Sequence, residues 1–125
     1  MFSENRTAAI LAKAVANDAT ALDAATTLRA ATLGGARALG FGEKIGSIEV
    51  GKQADLACVD LSALETQPLH HVLSQLVYAA GRHQVSDVWI AGQPKLVQRE
   101  LVGMDVSAIT ANARQWRDRI RSIRA

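Results

Sequence analysis

The stretch Ile45-Gly46-Ser47-Ile48-Glu49-Val50-Gly51-Lys52-Gln53-Ala54-Asp55-Leu56 marks a change of character along the chain. Gly40, Gly42, Gly46 and Gly51 punctuate short apolar pieces, which is the grammar of turns and strands. The pattern predicts a short extended piece over 45–50 and a turn over 51–54, where glycine supplies a positive φ that other residues resist. A strand over 56–60 follows, and its run Leu56-Ala57-Cys58-Val59 reads as buried. In the turn, Lys52 is expected to be solvated and Asp55 to accept hydrogen bonds from turn amides, as short carboxylates do.

Before this stretch the chain is alanine-rich and helical. Residues 4–16 hold strong helix formers, with Ser3 the expected N-cap and Ile10, Leu11, Ala14 and Val15 on one side. Asn17-Asp18 breaks that helix. A second is expected over 22–32, opened by Thr20 or Asp23 and interrupted at Gly34-Gly35; a short third over 36–39 ends at Gly40. After the stretch, 61–71 reads as a loop containing Pro68, and 72–80 as a short helix with Val72, Leu76 and Val77 inward and Gly81 as its stop. A strand over 85–91 puts Val88 and Ile90 on one face and Trp89 and Ala91 on the other. Gly92-Gln93 is the expected hairpin turn, and the returning strand over 95–99 follows Pro94, which suggests an edge. Val106, Ile109, Ala113, Trp116, Ile120 and Ile123 recur at alternating spacings of three and four, one stripe of an amphipathic helix with Asp105 or Ser107 near its start.

Two segments in succession, Ala30-Ala31-Thr32-Leu33-Gly34-Gly35-Ala36-Arg37-Ala38-Leu39-Gly40 and then the G-S-I-x-x-G-K-x-A-D-L run of 46–56, resemble the amidohydrolase superfamily near its C-terminal end. The later Val85-Ser86-Asp87-Val88-Trp89-Ile90-Ala91-Gly92 looks like the strand that follows in those proteins, so the resemblance runs along essentially the whole chain. Residues 2–13, together with Glu65-Thr66-Gln67-Pro68 through Ser74-Gln75-Leu76-Val77-Tyr78, are most similar to the branch holding the 5-methylthioadenosine/S-adenosylhomocysteine deaminases and the triazine hydrolases.

The resemblance implies an α+β piece of a larger protein: the last helices of a (β/α)8 barrel over 1–40, the C-terminal part of a small β-domain with one short helix over 41–104, and a closing amphipathic helix over 105–125. A whole barrel needs about 250 residues, more than this chain has. The implied activity is hydrolysis of C–N bonds other than peptide bonds, as hydrolytic deamination of an adenosine-type nucleoside. The implied cofactor is a divalent metal, zinc above all. Its ligands (an H-x-H pair, two further histidines and an aspartate) would lie upstream of Met1, so no catalytic, cofactor-binding or metal-ligating residue is carried over to this chain. The partners expected are the missing barrel portion or another copy of the chain, with a small nucleoside as substrate of the whole protein.

Composition agrees with a globular chain. In 125 residues, 49% are hydrophobic and 21% charged, which argues against disorder. A net charge of +2 does not imply a nucleic-acid partner. The single cysteine excludes an internal disulfide. No basic-then-apolar leader opens the sequence and no apolar run approaches the roughly 20 residues that cross a bilayer, so a cytoplasmic protein without a membrane partner is expected.

Few residues invite chemistry. His70, His71 and His83 are the histidines, with Asp87 four beyond the last, but adjacent histidines diverge and the set lacks a recognised ligand spacing; solvated side chains beside a loop are expected. Cys58, among apolar neighbours with no adjoining base, reads as a buried, inert thiol. No G-x-S-x-G motif supports a serine triad. Gly34-Gly35 and Gly40-x-Gly42 match neither G-x-G-x-x-G nor the P-loop and read as helix ends and turns. Arg114, Arg117, Arg121 and Arg124 form a second stripe that could lie along phosphates, but without interleaved aromatics a solvated or salt-bridged face is expected. Two readings follow: a fragment of a metal-dependent deaminase, inert alone, or a freestanding association module from a shortened or split gene, whose orphaned apolar faces favour self-association.

Overall fold

The computed structural model describes residues 2–123. Helix α1 spans Phe2–Ala16. Ser3 lies inside it, so the expected cap is corrected to a residue of the first turn. The helix stops where Asn17 takes a left-handed φ of 49°, a conformation that asparagine tolerates better than most residues. Lys13 closes the following turn from within the helix, donating to the carbonyls of Ala21 and Leu22. The face of α1 turned to the core is that of Ala9, while Ile10, Leu11 and Val15, expected to share one side of the helix, are exposed.

Helix α2, Ala24–Arg29, is capped by Asp23, whose Oδ1 accepts from Thr26 N at 2.7 Å. It does not end at the glycine pair. It continues through a π-helical turn, Ala30–Gly34, into α3, Gly35–Ala38. Gly34 and Gly35 both hold right-handed helical angles, so the expected interruption is corrected. The wider π turn brings the Arg29 carbonyl to 3.2 Å from where a Gly34 Cβ would stand, which glycine accommodates by lacking one. Gly40, at φ +77°, lies just beyond the end of α3.

Residues 41–55 form no strand, contrary to the extended piece expected over 45–50. Ile48 and Val50 point into solvent because no neighbouring strand pairs with them. The loop is instead pinned at two points. Gly46, at φ +91°, presses on the helical run so closely that a Cβ there would come within 2.8 Å of Ala36 Cβ and 2.9 Å of Leu33 Cα. Lys52 Nζ donates to the Gly42 carbonyl and to Ser47 Oγ, both at 2.7 Å, and lies 3.3 Å from Glu49. Its side chain is only 10% exposed, so the expected solvated lysine is corrected to a partly buried clamp.

Strand β1, Leu56–Val59, is followed by a short 3-10 turn, Leu64–Thr66, and by helix α4, Val72–Ser74, which runs into a second π turn, Gln75–Ala79. Val77 is buried as expected, but Val72 is half exposed and Leu73 takes its place against the core. Strands β2 (Val85–Ile90), β3 (Gln93–Val97) and β4 (Glu100–Leu101) complete an antiparallel four-stranded sheet in the order β1-β2-β3-β4. The β2–β3 turn is Ala91-Gly92, one residue earlier than expected, with φ of 49° and 76°. Two positive φ angles give the twist that a two-residue hairpin needs. Strand β3 is not the edge, since β4 pairs with Leu96 and Val97; Pro94 sits beyond the reach of β4, where a missing N–H costs nothing.

The core is small: Ala9, Ala24 and Val77, with Leu73 and Tyr78 against them, where α1, α2 and the second π turn meet. Arg6 of α1 ties this junction by donating to the carbonyls of Val77 at 3.4 Å and Ala80 at 2.8 Å. Helix α5, Val106–Ile123, is capped by Asp105, whose Oδ1 accepts from Ala108 N at 2.9 Å. The stripe of Val106, Ile109, Trp116, Ile120 and Ile123 is real, yet every residue of the helix is exposed. The architecture is therefore α+β, a helical layer followed by an antiparallel meander and a terminal helix.

Candidate functional site

The residues singled out for chemistry are put to structural use, each in a different place. His71 caps α4, its Nδ1 accepting from Ser74 N at 3.2 Å. His83 Nε2 lies 3.0 Å from Glu65 Oε1, and the buried Gln84 side chain donates to that same oxygen at 2.8 Å while accepting from Gly81 N at 2.6 Å. Glu65 thus fastens the 3-10 turn to the start of β2. Its carboxyl is held below the ordinary value, first by its own backbone amide and then by His83. Asp87, four residues beyond His83 in sequence, accepts from Gln98 N at 3.0 Å in the turn before β4. Among the described residues no three of His, Cys, Asp and Glu come together in a group that could hold a metal ion.

Cys58 is exposed, which corrects the buried thiol. The reason is topological: β1 is an outer strand, so its side chains have a neighbour strand on one side only. Of the arginine stripe, Arg117 pairs with Asp118 at 2.9 Å and Arg124 lies outside the described residues, while Arg119, not of the stripe, lies 5.3 Å over the Trp116 ring.

Two shallow clefts flank the pinned loop. One of about 280 Å³ is lined by Phe41, Lys44, Ile45, Gln53 and Asp55. The other, about 410 Å³, includes Arg29, Thr32, Leu33, Gly46, Ser47 and Leu73. Neither gathers an acid, a base and a nucleophile. What the surface does gather is apolar side chains: Ile10, Leu11 and Val15 on α1, Ile48 and Val50 in the loop, Ile90 and Leu101 in the sheet and the stripe of α5 are all exposed. The sequence reading placed apolar stripes on α1 and α5 and, for a chain standing alone, orphaned apolar faces.

Comparison with known proteins gives that surface a context. A model of the amidohydrolase family matches residues 1–95. A 5-methylthioadenosine/S-adenosylhomocysteine deaminase of Teredinibacter turnerae is 44% identical over 96% of this chain, which spans 27% of that protein. A crystal structure of an adenosine deaminase from Xanthomonas campestris with bound zinc is 89% identical and superposes with a TM-score of 0.94 over 98% of this chain and 28% of its own. Atrazine chlorohydrolase from Arthrobacter aurescens, complexed with zinc, is 28% identical with a TM-score of 0.81, over 90% of this chain and 25% of its own. The chain belongs to the amidohydrolase family. It spans little more than a quarter of the relatives it matches. The zinc of those neighbours finds no ligand set among the described residues here, where the histidines are spent on a helix cap and a turn fastening or stand outside any cluster.

Proposed function

We propose that this chain is the C-terminal part of a metal-dependent hydrolase that deaminates an adenosine-type nucleoside, with methylthioadenosine and adenosylhomocysteine as the foremost substrates. The observation that carries the reading is the 89% identity and 0.94 TM-score with a zinc-bound adenosine deaminase over nearly all of this chain. The curated relative from Teredinibacter turnerae, a 5-methylthioadenosine/S-adenosylhomocysteine deaminase at 44% identity, supports the narrower substrate class.

In this reading residues 1–40 are the closing helices of the barrel, 41–104 the C-terminal part of the small β-domain and 105–125 the last helix. The chain's role is scaffolding. Its apolar surfaces cover the barrel, the Lys52 and Gly46 contacts hold the connecting loop, and the metal ligands and proton-transfer groups belong to the rest of the protein. The chain alone is inert.

A chimera tests this. The corresponding C-terminal section of the Xanthomonas campestris deaminase is replaced by this chain, and ammonia release from methylthioadenosine, adenosylhomocysteine and adenosine is measured with zinc. Activity within about tenfold of the parent enzyme, about 1.4 kcal/mol in the barrier, is expected. A folded chimera that binds zinc and deaminates none of the three would refute the assignment.

A further inference from the structure

Resting on that reading, we propose that Arg6 is a positioning residue for the nucleoside: by fixing where α1 lies along the second π turn, it sets the place of the opening turn of α1, residues 2–5, at the rim of the active site.

Arg6 stands one turn into α1 and is part-buried. Its Nε donates to the Val77 carbonyl at 3.4 Å and its Nη2 to the Ala80 carbonyl at 2.8 Å. Both carbonyls lie at the end of the π turn Gln75–Ala79, where a helix has no following turn to supply donors. A planar guanidinium that reaches two fixed acceptors is directional. The apolar contact beside it is not. Ala9, wholly buried in one cluster with Val77, brings a single methyl group to it, which gives little to stop α1 sliding or turning over that surface. Arg6 therefore decides the height and the rotation of the helix. It joins the two segments, residues 2–13 and 65–78, that carry the likeness to the deaminase and triazine hydrolase branch.

In an eight-stranded barrel each strand is followed by a helix, and active sites stand at the strand ends from which those helices start. As a closing barrel helix, α1 has its opening turn at that end and Ala16 at the other. Phe2 is about 6 Å along the axis from Arg6, so a helix released from its tie carries the rim residues with it. Misplacement of this kind weakens a site without touching its reacting groups.

The test measures kcat and KM of the chimera for methylthioadenosine, with zinc content and the urea midpoint read alongside. Arg6→Met keeps the stem and removes both donors. It is expected to raise KM about tenfold with kcat changed less than about threefold, because contacts at the rim hold substrate and transition state alike. Arg6→Lys keeps a donor for one carbonyl and is expected to fall between, with KM raised about threefold. Lys13→Met is the control: it cuts the tie at the other end of α1, to the carbonyls of Ala21 and Leu22, and is expected to lower the midpoint and leave KM as it was. Loss of folded enzyme lowers kcat at constant KM. That pattern in Arg6→Met, or equal KM shifts in Arg6→Met and Lys13→Met, overturns the proposal. Should Arg6→Met not fold, Arg6→Lys decides alone, and an unchanged KM there overturns it equally. A chimera inactive before any substitution refutes the function, and is thereby told apart from an active chimera whose KM ignores Arg6.

Discussion

Asp55 Oδ1 accepts a hydrogen bond from Ala91 N at 2.6 Å, joining the end of the glycine-punctuated loop to a hairpin turn 36 residues away in the chain. Gly92 N donates to the Ala54 carbonyl at 3.0 Å beside it. The aspartate of the family motif is therefore a register lock: it fixes where β1 begins against the turn that closes β2. Asp55→Ala is expected to lower the midpoint of urea unfolding of the chimera and to speed amide hydrogen exchange at Ala91, while zinc content stays unchanged. Unaltered exchange at Ala91 would show that the turn holds itself.

Ala91 takes a φ of 49°, a left-handed conformation that costs a non-glycine residue about 1 kcal/mol. Ala91→Gly keeps the amide that Asp55 accepts from and removes the steric cost, against some added freedom in the unfolded chain. A net stabilisation of up to about 1 kcal/mol is expected from denaturant titration.

Gly46 offers the opposite case. A methyl group there would stand 2.8 Å from Ala36 Cβ and 2.9 Å from Leu33 Cα, on a backbone at φ +91°. Gly46→Ala is expected to destabilise by about 1–3 kcal/mol, the range for overpacking a close contact, and urea unfolding checks it.

Lys52 is expected to hold the loop through the Gly42 carbonyl and Ser47. Lys52→Met keeps the stem and removes the donors, so hydrogen exchange across 42–53 should rise while that of β2 stays as it was. Equal rises in both regions would mean that the clamp supports the whole sheet.

Acid exposes one further tie. The Asp60 carboxyl, at the end of β1, is held at about 2 against an ordinary 3.8, first by hydrogen bonds from the Ser62 side chain and backbone and then by Arg99, 3.0 Å away in the turn before β4. Because the folded value is the lower one, the unfolded chain takes up the proton first. The contribution is full above the unfolded value and is lost as pH falls from about 4 towards 2. Asp60→Asn is expected to flatten that limb of the pH–stability curve modestly, since the pair is solvated; an unchanged limb would place the acid sensitivity elsewhere.

The parts of this protein legible in its sequence are those set within a few residues. Asp23 and Asp105 cap their helices, Gly40 and Gly51 turn the chain, and the 3-4 spacing from Val106 to Ile123 forms a helix, because capping, positive φ and helical period are short-range properties. The motif over 46–56 also pointed to the family. Tertiary structure alone decided which faces are covered. Ile45 to Val50 has the composition of a strand but no partner strand beside it, and Lys52 is drawn partly out of water because it donates to a loop carbonyl ten residues back. Cys58 is exposed because β1 is outermost, and Ala9 rather than Ile10 or Leu11 meets the core because only that face of α1 has α2 and the second π turn against it. Burial belongs to what packs opposite a residue, so it cannot be read from the residue's own neighbours in sequence.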